Sequence, residues 1–464
     1  MNSIETDNFK ADIAVIGSGG GLAAAVAAAE KGAKNILVIE KQGLPGGNTR
    51  LAGDIFACES PVQKRAEIAA GRDEYFKIAM RWAHWSRIDP RIVRAYINKT
   101  GDTIRWLEEK GVEFEEIRPY RGITTHNAVG GNKRIFKILA GNCADLGVKL
   151  LLDTSAKRIL REGDGKINGV IVTNKAGEEF RIKTRSIIIA TGSFPGNVDL
   201  LRKYCPDYHD GMQLGKWPYH TGDGLIMASE AGAGIADSIP IFHIGPILEA
   251  GSWCKLAFLP YQPYMVWVNK KGKRFIDESW STHWESGNAV LGQPEKTVYI
   301  IWDEKMKDEL ELNVPGFMQE IKKQETEGEV KIADDWDGLA HWIGADPDIL
   351  KNSIAEYNSE CRKGYDEIFA KDKKYLDPIQ KAPYYAIRAI AHCGETMGGI
   401  KVNEKMQVLD VVGNPISGLF AAGVITDGWM PQTYCTDMFG SACSYAMNSG
   451  RIAGEKAAEF VMSK

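Results

Sequence analysis

The chain alternates between short unbroken apolar runs and longer amphipathic stretches, and this rhythm predicts most of its elements. Residues 12–16 (DIAVI) read as a buried strand, residues 22–30 as an alanine-rich helix and residues 34–40 (KNILVIE) as a second strand. Residues 61–110 and 136–146 carry helical spacing. Short strands are predicted at 148–153, 156–161, 169–173 and 179–183, with turns at 163–165 and 175–177. Residues 186–190 (SIIIA) form a fully apolar strand that ends on Thr191-Gly192, and residues 222–232 read as a helix. From about Pro240 the character changes. Residues 240–380 hold seven of the 12 tryptophans and amphipathic helices at 303–312 and 346–364. Short strands return at 399–403, 407–410 and 418–422, and a last helix runs from 441 to 462. The β–turn–α–β opening predicts a doubly wound α/β domain, interrupted by a separate domain and completed by the C-terminal part. No repeat of 20–50 residues is visible.

Composition narrows this picture without changing it. Apolar residues are 44% and charged residues 25% of 464, which excludes a disordered or fibrous chain. The net charge of −4 gives no basic excess for nucleic acid or an anionic membrane. Eight scattered cysteines form no CxxC pair, so a zinc ribbon or attached haem is not expected, and no metal site is predicted. Residues 1–10 lack the basic start and apolar stretch of a secretory signal, and no apolar run reaches membrane-span length. A cytoplasmic protein is the expectation. Glycine is the anomaly: 49 residues, about one in nine, against a usual ~7%.

Many of those glycines fall in ordered motifs. In IGSGGGLAAA, Gly17 permits a tight turn and Gly19 lets backbone approach a pyrophosphate at a helix N-terminus, where free N–H groups favour anions. Glu40, 23 positions after Gly17, can accept both ribose hydroxyls. Strict GxGxxG spacing would put the third glycine at Leu22. Gly21 is one residue early, so either the turn is shorter or Gly21 serves the helix–strand contact. Gly46-Gly47-Asn48-Thr49 and Gly53 offer closely spaced N–H donors with two polar side chains, suited to a diphosphate or a flavin edge. Thr221-Gly222-Asp223-Gly224 opens a helix, with a capping role for Thr221 or Asp223. Gly440-Ser441-Ala442 opens the final helix, whose N-terminus could stabilise negative charge on a reduced flavin.

The ordered set IGSGGG, IEK, GGNT, IIATGSF, TGDG, VNKKGKRF, APYYA, TMGG, GLFAAG and SGRIAG resembles the FAD-dependent fumarate reductase and succinate dehydrogenase flavoprotein superfamily over nearly the whole chain. Relatives in it include 3-ketosteroid dehydrogenases and urocanate-type reductases. The resemblance implies an α/β fold: a Rossmann-like FAD-binding domain, residues 1–239 and 381–464, with an inserted α+β capping domain, residues 240–380. It implies FAD as cofactor. Gly17, Gly19, Gly21, Glu40 and Lys41 would hold the ADP half. Gly46, Gly47, Asn48, Thr49 and Gly53 would line the pyrophosphate and flavin, and Ala156 would contact adenine through its backbone. Thr191, Gly192, Asp223, Gly423, Ser441 and Ala442 would surround the ribityl chain and isoalloxazine. Ser441 replaces the usual Asn of Gly-Asn-Ala, and its hydroxyl can still cap the helix.

The substrate-binding positions depart from the fumarate reductase pattern. His283 stands where the family has its acid Arg, Glu395 where it has a substrate His, and the stretch from Tyr434 to Asp437 lacks the carboxylate-binding Arg. His243 in FHIGP matches loosely the His of another family element. A dicarboxylate needs fixed cationic donors, because buried anions must be paired. These changes therefore argue against fumarate or succinate. The aromatics Trp253, Tyr261, Tyr264, Trp267, Trp280, Trp284, Trp429 and Tyr434 suit a flat, apolar or aromatic small molecule. The family implies hydride transfer between flavin N5 and a polarised C=C bond. The candidates for the accompanying proton are His283, Tyr434, Glu395 and His243, in that order. The expected function is a FAD-dependent ene-reductase, or the reverse dehydrogenase, on an enone or enoate. The alternatives are a 3-ketosteroid-type dehydrogenase and a non-catalytic flavin electron-relay subunit. A separate reductase or a free reduced carrier is the expected electron donor, since no second nucleotide fingerprint is evident. Cys393, Cys435 and Cys443 read as small buried filler.

Overall fold

The computed structural model describes residues 9–117, 124–163, 165–214, 219–243, 245–248, 254–282 and 284–463. They form two compact units: Met1–Asp207, Lys216–Ile241 and Glu395–Lys464 in the first, Tyr208–Gly215 and Phe242–Gly394 in the second.

The first unit is built on an eight-stranded sheet. Its strands are β1 (Phe9–Ile16), β2 (Ile36–Ile39), β3 (Lys149–Leu151), β4 (Ser155–Arg161), β5 (Ile167–Thr173), β6 (Glu179–Ile189), β7 (Gln407–Leu409) and β8 (Pro415–Ala421). The order β7-β8-β6-β1-β2-β3 is parallel from β8 to β3, while β4 and β5 form a hairpin joined to the first half of β6. This is the doubly wound, Rossmann-like arrangement, in which ligands collect beyond the carboxyl ends of the strands. Residues 179–183 and 186–190, expected as two strands, are the single strand β6. Its first half alternates, with Lys183 and Arg185 exposed and Thr184 buried; its second half, Ser186–Ile189, is buried on both faces. Residues 399–403, expected as a strand, make only isolated bridges through Ile400 and Val402.

Two helices pack on each other and against the sheet's centre. α1 (Gly19–Glu30) is buried from Gly20 to Ala28, so it is apolar all round rather than on one stripe. It packs on α2 (Ser441–Met462), which is buried over most of its length. Glycine makes this possible. A Cβ on Gly20 would lie 2.4 Å from the Ala446 carbonyl oxygen, one on Gly450 2.2 Å from that of Gly20, and one on Gly454 2.0 Å from that of Ala24.

The second unit has a five-stranded antiparallel sheet in which Tyr384–Ile390 pairs with Thr297–Asp303, Val330–Ala333 and Ile247–Leu248. Thr297–Asp303 is buried on both faces. Val298, Ile300 and Trp302 face a cluster with Leu310, Phe317 and Ile321, while Tyr299 and Ile301 face Leu339, Ile343, Leu350 and Tyr357. The chain returns to the first unit at Glu395 rather than at the expected 381, because Tyr384–Ile390 is an inner strand of this sheet. Residues 208–215 join it because Gln213–Leu214 pairs in parallel with His392 and Cys393. Trp267, expected at a ligand, is fully buried in this unit's core. Beside it lies a buried ion network: Glu278 receives Arg274 at 3.0 Å and Lys371 at 3.1 Å, and Arg274 also reaches Asp366 at 3.0 Å.

Among the described residues no helix is long and apolar enough to cross a membrane, and no group of three His, Cys, Asp or Glu side chains could hold a metal ion.

The α1–α2 contact generates a paired expectation. Gly454→Ala should cost about 3 kcal/mol, because its Cβ meets fixed backbone. Gly141→Ala, on the exposed side of the helix Asn132–Asp145 with nothing within 4 Å, should gain about 0.5–1 kcal/mol. Urea unfolding of the two variants measures both.

Candidate active site

A cavity of about 1040 Å³, open to solvent, lies beyond the carboxyl ends of β1, β2 and β6 in the first unit. β1 ends at Ile16, and Gly17 turns the chain at φ +90, where a Cβ would lie 2.4 Å from the Ala190 carbonyl oxygen. Ser18 follows, then α1 opens with Gly19 and Gly20 in the cavity wall. Gly21 does not line the cavity. Its hydrogen faces Val15, whose Cγ1 would be 2.8 Å from a Cβ, so it serves the helix–strand contact.

Glu40, at the end of β2, is buried and held by three donors. Ser18 N–H donates to Oε2 at 3.1 Å, Ser18 Oγ–H to Oε2 at 2.5 Å, and Gln42 N–H to Oε1 at 2.9 Å. The Ser18 hydroxyl also accepts from the Gly46 N–H at 2.7 Å. Ser18 thus ties the first turn to the GGNT segment, a role that the motif's spacing did not reveal. Lys41 donates to Asp223 Oδ2 at 2.9 Å and to Thr221 Oγ1 at 3.0 Å. Burial works against the Asp223 charge, but its hydrogen bonds to Lys41 and Thr221 outweigh it and hold the carboxyl below its ordinary range.

Of the expected cofactor residues, Gly17, Gly19, Glu40, Lys41, Gly47, Asn48, Thr49, Ala156, Thr191, Gly192, Asp223, Gly423 and Ala442 all line this cavity. Gly21, Gly46, Gly53 and Ser441 do not. Gly46, at φ +108, backs onto Phe136, and Ser441 is buried in the first turn of α2. The expected Ser441 cap is not formed. The Tyr434 phenol oxygen instead accepts from the Ala442 N–H at 3.1 Å.

The proton candidates separate. His283 lies outside the described residues. Tyr434 is buried behind the start of α2, and burial pushes its phenol up to about 12. It does not line the cavity. His243 is buried in the second unit, its Nδ1 3.3 Å from the His392 carbonyl oxygen. Glu395 does line the cavity. It is partly buried, Asn48 Nδ2 donates to its Oε1 at 3.1 Å, and burial pushes its carboxyl above the ordinary range. None of the named aromatics that the structure describes lines the cavity; Tyr219 does, and Trp429 stacks on Tyr445 at 4.3 Å. Cys443 lines it too, but burial pushes its thiol up, away from the reactive thiolate.

His220 is the largest omission from the sequence reading. It is buried in the cavity wall, with Nδ1 3.2 Å from Ser193 Oγ and 3.4 Å from Asn48 Nδ2. Burial and then the nearby Lys41 charge push it down to about 4, so it is neutral. Its position just ahead of TGDG was the available signal.

The lining fits a dinucleotide carrying a flavin. Thr191 Oγ1 is a buried hydroxyl with no hydrogen-bond partner among the described residues, and Gly47 and Gly192, at φ +50 and +76, would each point a Cβ into open space. Fixed acceptors at Glu40 and N–H groups at the Gly17–Gly19 turn match a ribose followed by a pyrophosphate. The comparisons agree. The model of the FAD binding domain family matches residues 12–434. A vinyl phenol reductase of Lactiplantibacillus plantarum is 31% identical over 97% of this chain and 96% of its own length. An NADH:fumarate oxidoreductase of Klebsiella pneumoniae is 30% identical over 97% of this chain, which spans about half (48%) of that relative. A solved 3-ketosteroid Δ1-dehydrogenase from Sterolibacterium denitrificans shares the fold, with a TM-score of 0.79 at 20% identity over 98% of this chain and 100% of that one. The site and fold define a flavin-dependent oxidoreductase acting on CH–CH groups. The chain belongs to the FAD binding domain family, and FAD is its cofactor.

Glu40→Ala removes an acceptor for the ribose and frees Ser18. FAD binding to the apoprotein, followed by flavin fluorescence, should weaken about 10- to 100-fold, or ~1.4–2.7 kcal/mol.

Proposed function

We propose that this protein is an ene-reductase, or the corresponding dehydrogenase, for an enone or enoate other than a small dicarboxylate, with Glu395 handling the proton. In this reading the Gly17–Gly19 turn, Glu40 and Lys41 hold the ADP half of FAD. Asn48, Thr49, Thr191, Gly192, Asp223, Gly423 and Ala442 surround the remainder. The bound FAD supplies or accepts the hydride. In the reducing direction Glu395 gives its proton to a carbon of the double bond. In dehydrogenation Glu395 takes the proton back.

The observation that carries this reading is the position of Glu395 in the cavity with its carboxyl pushed up by burial. A general acid needs its proton at the working pH, and burial extends the range over which a carboxyl keeps one. The relative matched over nearly its full length is named for a vinyl phenol, which carries no carboxylate. In the reducing direction a separate reductase or a free reduced carrier supplies the electrons, and the protein works in the cytoplasm.

Reduced viologen with a panel of enones, enoates and fumarate tests the substrate class; turnover of fumarate above the others would overturn it. Oxidation of a saturated ketone with a dye would mark the desaturase direction. Glu395→Gln should lower kcat about 10²–10⁴-fold while keeping its FAD. In the native enzyme kcat for reduction should fall as pH rises and Glu395 loses its proton, and that alkaline limb should be missing in the variant.

A further inference from the structure

The Asn48 carboxamide sits between two acceptors. One is Glu395 Oε1 at 3.1 Å, the other His220 Nδ1 at 3.4 Å, and both contacts are made by Nδ2. An amide nitrogen only donates, so His220 Nδ1 must present its lone pair and the ring carries its proton on Nε2. Ser193 Oγ, 3.2 Å from the same Nδ1, can donate to it as well. We propose that His220 is a positioning residue whose Nδ1 lone pair fixes the Asn48 amide with Nδ2 on Glu395, and so sets the protonation of that carboxyl. The proposal rests on the reading of Glu395 as the proton-handling group, and its test separates the two.

The alternative amide orientation shows why a lock is needed. Turned over, Asn48 would bring Oδ1 against the Glu395 carboxylate and against the His220 lone pair, setting acceptor against acceptor at both ends. A proton on Nδ1 would reverse the second of these contacts and favour the turned form. The charged and titratable groups around the pair oppose that proton. His220 is buried, and its charged neighbour is Lys41, which disfavours an imidazolium; Lys41 in turn is engaged by Thr221 and Asp223. Near Glu395 lies Cys443, which also feels Asp54, and its thiol stays protonated. The hydrogen bond from Asn48 lowers the Glu395 pKa against burial. The His220 lone pair therefore keeps in place the donor that limits how far burial can raise that carboxyl.

The test is an infrared pH titration of the FAD-loaded protein. The Glu395 carboxylic-acid band is identified by its disappearance in Glu395→Gln. His220→Leu removes the acceptor, and the band should persist to higher pH by about one unit, the size expected for losing a charged hydrogen bond of ~1.5 kcal/mol. The alkaline limb of kcat should move the same way. His220→Asn places Oδ1 near the position of Nδ1 and should restore the native midpoint. If His220→Leu does not retain FAD, His220→Gln, whose oxygen reaches toward the Nε2 position, should give the same upward shift. A native midpoint in both His220→Leu and His220→Gln would overturn the proposal. Full turnover by Glu395→Gln alongside a shifted band would sink the catalytic reading of Glu395 and leave the positioning by His220 standing.

Discussion

The close crossing of α1 and α2 is the constraint on which the cofactor site depends. Three glycines, Gly20, Gly450 and Gly454, let the two backbones meet where any side chain would strike a carbonyl oxygen. That contact fixes both helix starts at once. α1 opens at the Gly17–Ser18 turn and α2 at Gly440, so two sets of free amides are brought to the same cavity by one packing surface. Tyr434 completes the arrangement by taking up the Ala442 amide.

Two carboxylates in that cavity are treated differently by their surroundings. Glu40 receives three hydrogen bonds, from Ser18 and Gln42, and is suited to remain an acceptor. Glu395 receives one, from Asn48, and burial dominates its titration. In the proposed function the same functional group serves as a recognition element in Glu40, held by three donors, and as a proton carrier in Glu395, held by Asn48.

The doubly wound fold and the cofactor were readable because their signals are local. Residues 12–40 contain strand, turn, helix, strand and acidic side chain in one stretch, and each part has its own pattern. What was not readable depends on partners far apart in sequence. Ser18 gains its role from Gly46, 28 residues on, and His220 from Asn48, 172 residues back. The strand β6 looked like two because Lys183 and Arg185 break the apolar run, although they simply face outward. Tyr384–Ile390 looked like the start of the returning domain, since composition does not say which sheet a strand will join. The glycine count was also only half understood. It outlined the cofactor at Gly17 and Gly192, but Gly20, Gly450 and Gly454 serve a helix crossing.

That crossing has a consequence for how the chain is made. α1 ends at Glu30 and its main covering helix begins at Ser441, some 410 residues later. An alanine-rich, all-round apolar helix must therefore wait through some 410 further residues of synthesis before its final neighbour exists. Contacts of such long sequence separation slow folding and leave apolar surface open in the meantime. The second unit, whose strands and helices are continuous apart from one short segment, can assemble in that interval. The nascent chain is then expected to acquire its second unit before its first, and to need shielding of residues 19–30 until α2 has emerged.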